Sequence, residues 1–499
     1  MSWSRNTRRL GIWITLSALF AACAGQGAPE EADVLAEASD ASLPSDTSAG
    51  DATEPDVSDA LAALDPELEL SAYPAMRRLT SSQYRHSFAD WFGPDLVLPA
   101  SLEPDGRSEG LYAVGASVNG LSSLGVERYV KGAISLASQL VGYAPLRAQL
   151  IDCSELSDDA CIAELVDTWA FRFWRRPIEE VERERLITLG LNATSVMGSV
   201  EEGIRYVLSA IFASPHFLYT HGISQAGRDA EGPYDDWQMA TRLALFLWDS
   251  GPDPWLLERA GAGELKEDES LRQVVRDMLA DPRARRGLRA FADDWLELDL
   301  LSTLSKDPAV FPYFSPDIGH QAREETLLLL EHIVFDLDAD FRTLLTTRTT
   351  FVTRRLAGLY GVPAPAVEGF AQVELPEEGL RAGLLGHASV LSLHASPNRS
   401  SPTLRGVFVR ERLLCQHIPS PPANVDTTIP DGSSDAPTMR ERLEVHLESP
   451  SCAGCHRMTD YIGLGLEQFD GLGGFRAMEQ GAIIDPSGEL DGADFEDPV

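Results

Sequence analysis

"CIAELVDTWAFRFWRRP", residues 161–177, decides the fold class of this chain. Ile162, Leu165, Val166, Trp169 and Phe173 recur at the three- and four-residue spacing that gathers side chains on one face of an α-helix, and Pro177 ends the run. Working outward, "LTSSQYRHSFADWF" sets Thr80 and Gln83 in capping-box spacing and then lines up Tyr84, Phe88, Trp91 and Phe92. "GVERYVKGAISLASQLVGYA" does the same with Val126, Tyr129, Val130, Ala133, Ala137 and Leu140. Further helical runs are "EEGIRYVLSAIFASP", "DWQMATRLALFLWDS", "SLRQVVRDMLADPRARRGLRAFADDWLEL" and "AREETLLLLEHIVFDLDADFRTLLTTR". These stripes read as core rather than as cofactor contacts. Strand signals are few, "FAQVEL" at 370–375 being the clearest, so the class is mainly α.

The N-terminus places the chain outside the cytoplasm. Arg5, Arg8 and Arg9 precede an apolar run from Leu10 to Ala22 that is too short to span a bilayer, followed by Cys23. Ala21, Ala22 and Cys23 read as a lipobox, with Phe20 where leucine is usual, and Cys23 is then the lipidated mature N-terminus. The stretch from there to about residue 70 is rich in acids, Ala, Ser and Pro, has no Lys or Arg, and reads as an acidic disordered tether. Its root-mean-square reach is roughly 40 Å, enough to hold a globular body off a membrane. A net charge of -36 and a pI near 4.5 exclude nucleic-acid binding, which needs basic stripes over phosphates. The expected location is the periplasm or the outer-membrane or cell surface.

The six cysteines sort by position. Cys23 belongs to the leader, and Cys153 with Cys161 closes a short acidic loop that an oxidising compartment bridges. Cys415, Cys452 and Cys455 remain. The last two stand in "ESPSCAGCHRMTD", where Cys452, Cys455 and His456 have the spacing Cys-x-x-Cys-His. Two thiols three residues apart reach the two vinyl groups of one haem, and the next imidazole can ligate the iron, giving covalent haem c. The competing readings are a zinc site from Cys415, His446, Cys452 and Cys455, or a disulfide from Cys415 to one of the pair. For the sixth iron ligand, His446 on the preceding helix and Met478 in "GGFRAMEQG" are the candidates.

Other chemistry is not signalled. The chain has no His-Glu-x-x-His, Gly-x-Ser-x-Gly or phosphate-binding glycine loop, so any enzyme activity is expected to be that of an oxidoreductase. Glu331 and His332 read as a half-buried core pair, His216 and His221 as core or surface histidines, and "IDPSGELDGADFED" as solvated turns.

Seven blocks, including "MRRLTSSQYRHSFADWFGPDLVLP", "FRFWRRPIEEVERERL", "TRLALFLWDSGPDPWLLERAGAGEL", "ASPNRSSPTLRGVFVRERLLC" and "HLESPSCAGCHRMTDYIGLGLEQFDGLGGFR", run nearly end to end in an order that resembles large exported proteins built from planctomycete-specific domains of unknown function and ending in a planctomycete-type cytochrome c domain. The resemblance implies a C-terminal cytochrome c-like helical haem module and an electron-transfer or redox role, with Cys452 and Cys455 as attachment cysteines and His456 as proximal ligand. Two departures stand out. The family often has Asp-Pro after the haem motif, whereas Asp460 is followed here by Tyr461, and the chain stops at "DGADFEDPV" where a further helical domain is expected, as a natural short form or a truncation.

The expected organisation is a leader at 1–23, the tether at 24–70, helical segments at 71–144, 145–205 and 206–378, and the haem module at 379–499. Three functions compete. One is an exported c-type haem protein passing electrons to an unidentified redox protein or small-molecule acceptor, held to a membrane by its lipid. Another is a non-haem module with a structural zinc or disulfide site at Cys415, Cys452 and Cys455. The last is a surface binding or assembly protein.

Overall fold

The structure is a computed structural model, and it describes residues 76–496 apart from 109, 119, 221–233, 420–428, 430–431, 434 and 448–449, with the side chains of 445–452 also outside the description. Residues 1–75, where a leader, a lipidated Cys23 and an acidic tether are expected, therefore lie outside the described residues. What is described is mainly helical, with four two-stranded antiparallel sheets among the described residues.

The principal N-terminal helices are α1 (Ser81–Phe92), α2 (Ser123–Gly142), α3 (Asp158–Trp174), α4 (Glu180–Met197) and α5 (Val200–Ala213). Each begins where the sequence satisfies its orphan N–H groups or ends where it cannot continue. Thr80 Oγ1 accepts from Gln83 N–H while the Gln83 side chain accepts from Thr80 N–H, completing the capping box. Helix α3 closes on Arg175 in the left-handed conformation, two residues before Pro177.

All five of the residues expected on the inner face of α3 are buried. The face of α2 is only partly as expected: Tyr129, Ala133, Ala137 and Leu140 are buried, together with Leu136, but Val126 and Val130 are 48% and 40% exposed. The buried stripe is centred on Tyr129, Gly132, Leu136 and Leu140, and Val126 and Val130 lie at its margin.

One hydrophobic cluster draws on residues from Leu79 to Leu245 and includes the stacked rings of Phe92 and Trp169, so the helices on either side of residues 144 and 205 share a core. Cys153 and Cys161 are disulfide-bonded beside it, with Cα atoms 5.3 Å apart.

A second cluster is built on α6 (Asp236–Leu247), α7 (Arg283–Trp295) and α8 (Ile318–Glu331), and it takes in Leu384, Val390, Phe408, Val409 and Ile462. The C-terminal segment is thus packed into the large helical unit rather than tethered to it. Arg286 ties the two cores together through a bidentate pair with Asp90 at 2.7 and 2.6 Å. Gly287 lets α7 touch the end of α6: a Cβ there would sit 2.0 Å from the Leu247 carbonyl oxygen.

"FAQVEL" does form a strand, Ala371–Glu374, paired with Thr349–Val352. "IDPSGELDGADFED" departs from the turns expected of it. Gly488–Leu490 pairs with Ala493–Phe495 as a hairpin, because Asp491 and Gly492 both take positive φ, at 52° and 84°, the pattern of a two-residue Asp-Gly turn. Glu331 is buried against Arg285 and Arg289, while His332 turns to Asp336, so the two residues expected as a core pair face different partners.

Candidate functional site

The Cys-x-x-Cys-His motif lies in a regular helix, α11 (Pro450–Leu464), which follows α10 (Met439–Leu447) and is crossed by α9 (Pro402–Phe408). The crossing is set by two glycines. A Cβ on Gly406 would sit 1.9 Å from the carbonyl oxygen of Thr459, and a Cβ on Gly463 would sit 1.9 Å from that of Pro402. Only glycine at both places lets the backbones touch, and the approach brings the Thr403 side chain onto α11.

His456 sits one turn before Asp460 on α11. Its Nδ1 is 2.7 Å from Asp460 Oδ2, and Asp460 is 1% exposed. The other carboxylate oxygen accepts from Thr403 Oγ1 at 2.7 Å, and Thr459 Oγ1 lies 3.3 Å from it and 3.2 Å from the Cys455 carbonyl. The Asp460 carboxylate raises the proton affinity of His456 above the ordinary histidine value, with partial burial opposing it. In the neutral imidazole this bond fixes the proton on Nδ1 and the lone pair on Nε2, the arrangement of a metal-ligating histidine with its orienting carboxylate.

Around this relay the module is held by buried guanidinium groups. Arg405, with no exposed surface, donates to the carbonyls of Leu466, Phe469, Asp470 and Leu391, and its Nη1 lies 3.6 Å from Glu467 Oε1. Glu467 is 2% exposed and accepts from Ser400 Oγ at 2.8 Å and from Arg476 at 2.7 Å. Burial pushes its carboxyl up from the ordinary value despite both arginines. Arg410 donates to the Met458 carbonyl and to Asp491, fastening the C-terminal hairpin to α11.

The residues expected at the site fare differently. Cys455 is a half-buried free thiol. The side chains of Cys452 and His446 lie outside the described residues. Met478 opens a short hairpin, Met478–Glu479 against Ala482–Ile483, and is 53% exposed. Cys415 is disulfide-bonded, which removes it as a thiolate ligand for zinc, and among the described residues no cluster of three His, Cys, Asp or Glu could hold a metal ion. His216 is engaged by Arg176 and Glu182 and packs its ring at a tilt against Trp174, and His221 lies outside the described residues. The sequence named neither Thr403 nor the bracing role of Asp460. The four-residue step from His456 to Asp460 was a readable signal, whereas Thr403 lies 57 positions away.

The fold and site together define a mainly helical protein of several packed segments, whose C-terminal module presents a carboxylate-braced histidine next to a thiol. Four family models match it in order, each described as a protein of unknown function: PSD3 (DUF1587) over residues 77–142, PSD5 (DUF1595) over 161–221, PSD4 (DUF1592) over 234–362 and PSCyt3 (DUF1588) over 381–479. These four domains are consistent with the planctomycete-type multidomain proteins that the sequence resembles, and the name PSCyt3 hints at a cytochrome-like domain. No curated protein and no solved structure matches the chain. Among the described residues no helix is long and apolar enough to cross a membrane.

Proposed function

We propose that the protein is an exported c-type haem protein acting in electron transfer, with haem attached through Cys452 and Cys455 and its iron ligated by His456. The observation that carries this reading is the bond from His456 Nδ1 to a buried carboxylate, itself anchored from another helix. A buried carboxylate also meets His86, whose Nδ1 lies 2.8 Å from Asp249 Oδ2, so what sets His456 apart is that its braced imidazole directly follows the Cys455 thiol of the motif. The described donors suit a haem in part: Cys455 would offer a thiol and His456, with its proton held on Nδ1, would offer Nε2, while the Cys452 side chain lies outside the described residues. When bound, haem supplies a one-electron couple whose potential follows the axial ligands. The chain's own part is to hold His456 in one tautomer and one orientation. His446 or Met478 would be the further residue to hold the group. Export as a lipoprotein through Cys23, to the periplasm or outer surface, belongs to the same proposal and agrees with the Cys153–Cys161 disulfide.

A second reading rests on Cys415. Its disulfide is not to Cys153, Cys161 or Cys455. If its partner is Cys452, the motif is a structural bridge in a surface binding or assembly protein, because double haem attachment needs both motif cysteines as thiols. A pyridine haemochrome spectrum with a haem-stained denaturing gel, on protein exported in a host with cytochrome c maturation, tests the proposal. Covalent haem that is lost in Cys455→Ala supports it. Absence of haem beside a matured control cytochrome refutes it and leaves the structural bridge.

A further inference from the structure

Asp460 is a positioning residue whose effect is graded by a second helix, and the geometry points to a function for that grading. We infer that Thr403 and Asp460 form a relay that sets the electron-donating strength of His456, and through it the reduction potential of the iron. This inference rests on the haem reading above.

The argument runs along three atoms. Asp460 Oδ2 takes the Nδ1–H of His456 at 2.7 Å, so negative charge is drawn onto the imidazole and Nε2 becomes a stronger donor. A stronger donor favours the higher oxidation state and lowers the potential. Thr403 Oγ1 donates to the other oxygen, also at 2.7 Å, and pulls charge off the carboxylate, tempering that effect. Thr459 has one hydroxyl proton to divide between Asp460 at 3.3 Å and the Cys455 carbonyl at 3.2 Å, so Thr403 is the dominant moderator. Because Asp460 is only 1% exposed, water cannot substitute for either partner. Thr403 reaches the relay only because Gly406 and Gly463 allow the two helices to touch. Packing of α9 on α11 and the strength of the iron's ligand are therefore one quantity.

The relay gives two substitutions opposite signs, which a purely structural role does not. Asp460→Asn keeps an acceptor but removes its charge, and the iron equilibrium shifts about tenfold toward the reduced state, an upward move of about 59 mV for one electron. Thr403→Val leaves the carboxylate less restrained and shifts the equilibrium several-fold the other way, while Thr403→Ser keeps the hydroxyl and the wild-type value. The experiment is spectroelectrochemical titration of the full chain carrying covalent haem, with each variant, alongside the His456 Nδ1–H resonance in haem-free protein by nitrogen-edited NMR. Opposite shifts for Asp460→Asn and Thr403→Val, with Thr403→Ser unchanged, establish the relay. Equal potentials, or shifts of the same sign, overturn it. Should wild-type protein carry no covalent haem, the haem reading fails separately, and the NMR decides the relay: a downfield Nδ1–H signal that moves in both variants supports it, and one that moves in neither overturns it. Thr403→Val keeps the test in force if Asp460→Asn does not fold.

Discussion

Gly406→Ala and Gly454→Ala make the same chemical change in two neighbouring helices, and the structure assigns them opposite signs. Propensity alone favours alanine by about 1 kcal/mol at each helical position. At Gly454 no described atom lies within 4 Å of the added Cβ, so that gain is kept and haem-free protein becomes more stable by up to about 1 kcal/mol. At Gly406 the new Cβ would stand 1.9 Å from the Thr459 carbonyl oxygen. Ordinary contact requires about 3.5 Å, so α9 must retreat by roughly 1.5 Å. Overpacking of this kind costs about 1–3 kcal/mol. The retreat also breaks the bond from Thr403 to the Asp460 carboxylate, for about 1.5–3 kcal/mol more. The net expectation is a loss of roughly 1.5–5 kcal/mol despite the better helix former. Equilibrium urea unfolding of the two variants and wild type, haem-free, reads the difference, with coincident fluorescence and circular dichroism transitions as the check on two-state behaviour. If both variants move stability in the same direction, or Gly406→Ala changes it by less than about 0.5 kcal/mol, the account of the α9–α11 contact is wrong.

Three further outcomes are expected. In haem-free protein Asp460→Asn lowers the His456 pKa: because the native value lies above the ordinary 6.5, the bond's stabilisation is complete below that pH and is lost as pH rises through the native pKa, so an NMR titration of His456 in haem-free protein moves to lower pH in the variant. Glu467→Gln leaves Arg405 and Arg476 facing a neutral amide in the core and destabilises the protein by about 3–5 kcal/mol, as judged by urea unfolding. Replacement of Cys153 and Cys161 by serines removes a constraint worth roughly 2–3 kcal/mol of chain entropy for a sequence separation of 8, and lowers the thermal midpoint below that of the oxidised wild type.

Much of the helical body was legible because period and capping agree in the sequence. The Thr80–Gln83 box and the Ile162-to-Phe173 stripe required no tertiary knowledge, and they appear as read. The inner face of α2 was legible only in part: Val126 and Val130 fit the apolar spacing, yet the buried stripe is centred on Tyr129, Leu136 and Leu140, and what is covered at its margin depends on the neighbouring helices. The C-terminal hairpin could have been read from Asp491-Gly492, but the density of acids around it suggested solvated turns instead. At the site, His456 stood out by its motif, and its carboxylate was one helical turn along. Thr403 and the buried Arg405 were invisible, because their partners are set by a contact between distant segments that no local pattern encodes.

The most direct test of the central claim is peptide mapping by mass spectrometry, without reduction, of mature protein exported from a host with cytochrome c maturation. The account predicts that the peptide containing Cys452, Cys455 and His456 carries haem through two thioethers. Recovery of that peptide without haem and crosslinked to the Cys415 peptide by a disulfide contradicts it.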